Sequence, residues 1–139
     1  MLQNAGYTTA VIGKWHLGLG DGIIDRNKPI KLGPAEIGFS YSFIIPATLD
    51  RVPTIFVENQ QVVNLEVKDP IAVSYVHKVG TDPTGLERPE MLKVGADFEH
   101  SKTIVESISR IGYMSGGKAA KWKDEEIADI LFRKQCNRF

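Results

Sequence analysis

An α/β fold is what this sequence predicts, and three stretches carry the prediction. Residues 7–12 join β-branched and apolar side chains in a nearly unbroken run, the pattern of a strand buried on both faces. Residues 52–57 and 61–65 flank Glu58-Asn59-Gln60 and read as a β-hairpin, with Asn59 the turn residue that tolerates positive φ. Residues 124–134 begin with Asp124, Glu125 and Glu126, which suit the positive end of a helix. Ile127, Ile130 and Leu131 then form one apolar stripe.

The other elements follow in order. Residues 1–5 read as the last turn of a helix, with Gly6 as its left-handed cap. A helix this short is not stable alone, so the expectation is that sequence upstream of Met1 belongs to it. Gly13 ends the first strand. Residues 18–22 and 25–34 are loops, rich in glycine, proline and scattered charge. Phe39, Tyr41 and Phe43 alternate with Ser40 and Ser42 and predict a short amphipathic strand. Residues 66–100 hold many breakers and little periodicity; so long an irregular stretch inside a domain is usually functional or packed on something else. Residues 103–111 have strand character. The final helix stops at Cys136-Asn137-Arg138-Phe139 without a capping signal, and both ends read as interior to a longer sequence.

The composition is that of one ordinary globular domain of 139 residues. Seventeen basic residues balance 17 acidic ones, which removes any broad electrostatic case for nucleic acid or an anionic membrane. No apolar run approaches the ~20 residues of a membrane helix, and the opening MLQNAGY is not a basic-then-apolar leader. Cys136 is the lone cysteine, so neither an internal disulfide nor a multi-thiolate zinc site can form.

Chemistry concentrates just after the first strand. Lys14 and His16 are two residues apart, and in extended structure they face the same way while Trp15 faces the other. An ammonium and an imidazole at the carboxyl end of a buried strand suit an oxyanion such as sulfate or phosphate. Lysine supplies charge, and histidine donates a hydrogen bond or gives a proton to a leaving oxygen. Taken alone, a Lys-x-His pair is most often a solvated rim.

The run Gly6-Tyr7-Thr8-Thr9-Ala10-Val11-Ile12-Gly13-Lys14-Trp15-His16-Leu17-Gly18 resembles the second signature of the type I sulfatases. The resemblance continues through Gly38-Phe39, Pro46-Ala47-Thr48, Asp50-Arg51-Val52-Pro53, Val57-Glu58-Asn59, Arg110-Ile111-Gly112-Tyr113-Met114 and Gly116-Gly117-Lys118. It implies hydrolysis of a sulfate ester, in a small molecule or a sulfated glycan, with Lys14 and His16 on the substrate sulfate. It implies part of an alkaline-phosphatase-like α/β/α sandwich, with a mostly parallel sheet plus the hairpin. It further implies calcium, a formylglycine nucleophile made from a Cys-x-Pro-x-Arg run, and a periplasmic, secreted or lysosomal parent. This chain departs from the family there. It contains no Cys-x-Pro-x-Arg run, and in family order that run and the calcium ligands fall outside residues 1–139. The expectation is therefore a partial catalytic domain, inactive by itself. Arg51 and Lys118 are cations able to reach an anionic or sugar substrate. Each has a plain alternative: Arg51 paired with a carboxylate such as Asp50, Lys118 solvated.

A non-catalytic oxyanion-binding remnant is the rival reading. A nucleotide site is the third, because Gly112 to Lys118 matches the Gly-x-x-x-x-Gly-Lys spacing. It lacks the Ser or Thr that magnesium needs, since Ala119 follows. Gly18-Leu19-Gly20-Asp21-Gly22 is a flexible loop rather than a dinucleotide fingerprint. His77 and His100 have no partner at metal-ligand spacing and read as surface or hydrogen-bonded histidines. Trp15 and Trp122 read as core or pocket walls.

Overall fold

Extended structure in the first motif starts later than its β-branched residues do. In the computed structural model, which describes residues 2–137, strand β1 is Ala10–Lys14, and Gly13 lies inside it at φ 131°. β1 pairs in parallel with β2, Tyr41–Ile45, from Ala10 opposite Tyr41 to Lys14 opposite Ile45. β2 pairs antiparallel with β3, Val57–Glu58, which turns back into β4, Gln61–Val62. The sheet order is β1-β2-β3-β4. The sheet is thus mixed: the hairpin supplies two antiparallel pairings against one parallel pair, and the mostly parallel arrangement is not what these residues form. The turn is as expected, with Asn59 at φ 54°.

β2 corrects a second expectation. Its residues are buried throughout, Ser42 included at 2% exposed, while Ser40, just before the strand, is exposed. Alternation still operates, but it divides two cores instead of core from water. Ile44 packs with Val52, Ile55, Val57 and Met114 on one face. Tyr41, Phe43 and Ile45 pack with Phe56, Trp122 and Ile127 on the other. Ser42 is tolerated in that setting because Asn59 satisfies it. The Ser42 amide donates to Asn59 Oδ1 (3.1 Å), and its hydroxyl donates to the Asn59 carbonyl (3.3 Å).

The remaining segments fold over this sheet in short pieces. β5, Ala72–Ser74, breaks the long irregular stretch. β6, Ile104–Val105, and β7, Ile108–Ser109, form a tight hairpin through Glu106 and Ser107, both at positive φ. The single strand expected over residues 103–111 is this hairpin. β8, Tyr113–Ser115, pairs antiparallel with β5. A 3-10 turn, Asp124–Glu126, leads into α1, Ile127–Cys136. Ile127 is buried, and Ile130 and Leu131 pack on the second core, as their stripe predicts. At the chain start a 3-10 turn, Gln3–Ala5, ends at Gly6 in the left-handed cap conformation (φ 85°). Met1, Arg138 and Phe139 lie outside the described residues.

Arg110 ties the outer pieces to the sheet layer. Its side chain is 3% exposed and donates to the carbonyls of Leu49 (2.6 Å) and Val105 (3.0 Å). It also donates to both oxygens of Asp124 (2.8 and 2.7 Å).

Candidate functional site

The loop beyond β1 follows β2 for two residues after the strand has ended. The Trp15 amide donates to the Ile45 carbonyl (3.0 Å) and the His16 amide to the Pro46 carbonyl (3.1 Å). His16 then takes a left-handed conformation (φ 52°). The expected extended alternation from Lys14 to His16 is therefore broken at its last residue. Trp15 locks the bend. Its indole N–H donates to the Gly18 carbonyl (2.7 Å), and its ring meets Phe39 edge-on at 6.2 Å. Trp15 is half-buried against the first core, so of its two expected roles it takes the core one and does not line the cavity.

A cavity of about 380 Å³ opens at this end of the parallel pair. His16, Arg26, Arg51 and Tyr75 face it, with apolar surface from Ile24 and Pro46 among its walls, and among the described residues no carboxylate lines it. Arg51 is positioned by two neighbours. Its Nε donates to Thr48 Oγ1 (3.0 Å) and stands 4.0 Å from Asp50 Oδ1, an ion-pair distance beyond hydrogen bonding. Arg26 donates to the Ile24 carbonyl (3.3 Å). Burial lowers the Arg26 pKa, and the nearby Tyr75 partly offsets this. Burial also raises the Tyr75 phenol, against the pull of Arg26 and Arg51, and its hydroxyl donates to the Val52 carbonyl. An imidazole and two guanidiniums around a partly apolar cavity are chemically suited to an anion that carries an organic group.

Of the residues singled out by sequence, His16 and Arg51 come together in this cavity. Lys14, the exposed last residue of β1, does not line it. Lys118 is exposed elsewhere: its amide donates to Asp69 Oδ2 (2.6 Å), and the Gly117 amide donates to the Asp69 carbonyl (3.1 Å). An aspartate thus occupies the turn where a P-loop would hold phosphate, and Tyr113 to Ser115 is strand β8 rather than loop. The nucleotide reading has no geometric support. Arg26 and Tyr75 were not singled out. Arg26 sits in a loop whose charges show no pattern. For Tyr75 the signal was the long irregular segment itself, which lays one aromatic residue over the cavity.

His100 has partners that spacing could not reveal. Its Nδ1 is 2.9 Å from both Asp97 oxygens, and its Nε2 is 3.3 Å from Asp50 Oδ2. Asp97 first, then Asp50, raise the His100 pKa. Thr48 first, and His100 after it, hold the Asp50 carboxyl below the usual carboxylate range. His77 lies apart, its Nδ1 3.5 Å from Ser74 Oγ. Among the described residues no group of three or more His, Cys, Asp or Glu side chains is arranged to hold a metal. No helix among them is long and apolar enough to cross a membrane.

No family model matches the chain. It is 56% identical over 135 residues to an N-acetylgalactosamine-6-O-sulfatase of Bacteroides thetaiotaomicron, covering 96% of this chain and 26% of that protein. It also superposes, with a TM-score of 0.94 and 55% identity, on a solved structure connected with metabolism of multiple glycosaminoglycans by Bacteroides thetaiotaomicron. That match covers 98% of this chain and 28% of the solved one. The chain spans about a quarter of the length of the curated relative it matches. Identity of this level over nearly every residue, with the same backbone path, makes this chain a sulfatase-family segment.

Proposed function

We propose that this chain forms the substrate-sulfate side of a sulfatase site, in an enzyme that hydrolyses a sulfate ester on a sulfated glycan. The observation that carries the reading is the cavity where His16, Arg26 and Arg51 converge with no carboxylate among its walls. Sulfate monoesters keep a negative charge at any physiological pH, and guanidiniums bind such oxygens through paired N–H donors. His16 donates to a sulfate oxygen or protonates the ester oxygen as it leaves. Lys14, two residues before His16 and outside the cavity lining, adds longer-range positive charge on a flexible stem. The apolar part of the cavity and Tyr75 face the sugar. The relative's preference suggests the sugar class: a 6-O-sulfated amino sugar of the glycosaminoglycan type. The parallel β1/β2 pair ending at the cavity supports placement in an alkaline-phosphatase-like α/β/α sandwich, of which this chain is a partial catalytic domain.

The groups that the resemblance implies do not fit these residues. Cys136 is exposed at the end of α1 and is followed by Asn137, not by a Cys-x-Pro-x-Arg run. No cluster among the described residues suits calcium. The isolated chain therefore binds without turnover. Two measurements test the reading. Calorimetry of the purified chain with inorganic sulfate should show binding that His16→Ala and Arg51→Ala weaken; no heat of binding in the folded chain sinks it. An aryl sulfate assay should show no hydrolysis. Metal-dependent hydrolysis that Lys14→Ala abolishes would mean that the chain is a complete catalyst.

A further inference from the structure

The imidazole of His100 is held between two carboxylates from different loops, one of which stands beside a cation of the cavity. A neutral imidazole has one N–H to donate; its other nitrogen carries a lone pair. Here both ring nitrogens face carboxylate oxygens, so only the imidazolium satisfies both sides. The charged groups facing the ring are Asp97, from its own turn, and Asp50, from the loop between β2 and β3. β7 contributes only the Ser109 hydroxyl, which donates to the His100 carbonyl. Arg110, buried in the same layer, is committed to Leu49, Val105 and Asp124. Asp50 therefore has two cations within reach: His100 at 3.3 Å through Oδ2, and Arg51 at 4.0 Å through Oδ1.

We propose that Asp97, His100 and Asp50 form a proton-controlled positioning relay for Arg51, so that protonation of His100 sets how strongly the cavity holds an oxyanion. With His100 charged, Asp50 is engaged by the imidazolium. Arg51 rests on Thr48 through Nε, and the residue stays among the walls of the cavity. When the proton leaves to solvent, the Nε2 lone pair opposes Asp50 Oδ2. The carboxylate then turns to its remaining cation, closes the 4.0 Å gap to Arg51, and draws the guanidinium off the anion. Sulfate affinity therefore falls as His100 deprotonates. His100 is a positioning residue here; it does not line the cavity. The proposal deepens the sulfate-binding reading above and rests on it.

The test uses the full chain, ¹⁵N-labelled, with His16→Gln as the background so that His16 adds no titration of its own. The Arg51 Nε resonance should shift with pH in step with the His100 ring. Asp97→Asn should move both midpoints to lower pH together, a displacement that a merely structural role would not produce. His100→Gln should leave the Arg51 signal flat. An Arg51 resonance indifferent to His100 titration overturns the relay, as does one that still titrates in His100→Gln. In the same samples, inorganic sulfate should bind at least about fivefold more weakly above the His100 midpoint than below it, a low-end coupling between sites. Equal affinity on both sides also overturns the relay. If sulfate binds at neither pH even in the chain that keeps His16, the cavity reading fails, and the Arg51 resonance still decides the relay.

Discussion

Lys14 and His16 are chemically alike in the motif but not alike in place. The strand holds Lys14 at its exposed end, whereas the positive φ at His16 turns the next residues onto the cavity. A hydrogen bond to a charged group contributes roughly 1.5–3 kcal/mol. His16→Ala should therefore weaken sulfate binding by about tenfold or more. Lys14→Ala should cost less, since a hydrated ammonium outside the cavity gives modest screened attraction. Calorimetric titrations of the two variants check the order, and a larger loss for Lys14→Ala would contradict it. Residue types and spacing were enough to select both positions. Their different roles were not legible, because a left-handed residue at His16 is dictated by the bend that Trp15 and Gly18 close.

Elements built from local chemistry were readable in advance, and elements built from distant partners were not. The β3–β4 hairpin needs one residue able to take positive φ, and Asn59 supplies it. α1 needs an acidic start and a stripe, and both are written within a dozen residues. β2 is different: whether Ser42 meets water or Asn59 depends on what covers each face of the sheet. The same dependence makes β2 the most sensitive element. Phe43 is 2% exposed, stacks on Phe56 at 5.0 Å between centroids, and lies under the Lys134 ammonium at 4.4 Å. Phe43→Ala should cost about 3–5 kcal/mol, the usual range for deleting a core aromatic side chain. The midpoint of urea unfolding measures it; a loss under about 1 kcal/mol would mean that the second core repacks freely.

At the scale of the molecule, two cores on opposite faces of one sheet are held together by buried and half-buried charge. Removing one partner of a buried pair leaves the other unpaired, typically at about 3–5 kcal/mol, so Arg110→Ala should lie near the lower end of that range because Asp124 retains some access to water. Chemical denaturation of the variant checks this. Stability should also depend on pH with a defined sign. His100 has a raised folded pKa, so its contribution is complete below the unfolded value near 6.5 and is lost as pH rises through the higher folded value. Asp50 and Asp97 are lowered; their contributions are present above the unfolded carboxylate pKa and vanish as pH falls through the folded values. Urea midpoints should therefore decline on both sides of a slightly acidic optimum, and His100→Gln should remove the decline above neutrality. Several large apolar side chains stand in water, Ile23, Val67, Val76 and Phe98 each more than 80% exposed. Such surface favours association, so the purified chain should be poorly soluble, as light scattering during concentration would register.

The sequence by itself determined the family signature, the hairpin and the final helix, because each is written in contiguous side chains and short-range backbone preferences. Only the tertiary structure decided that His16 meets Arg51 and Arg26 while Lys14 and Lys118 stand apart, that the sheet is mixed, and that His100 joins Asp97 to Asp50. Those outcomes depend on residues tens of positions apart. Their meeting is fixed by packing across the two cores, which no local pattern encodes.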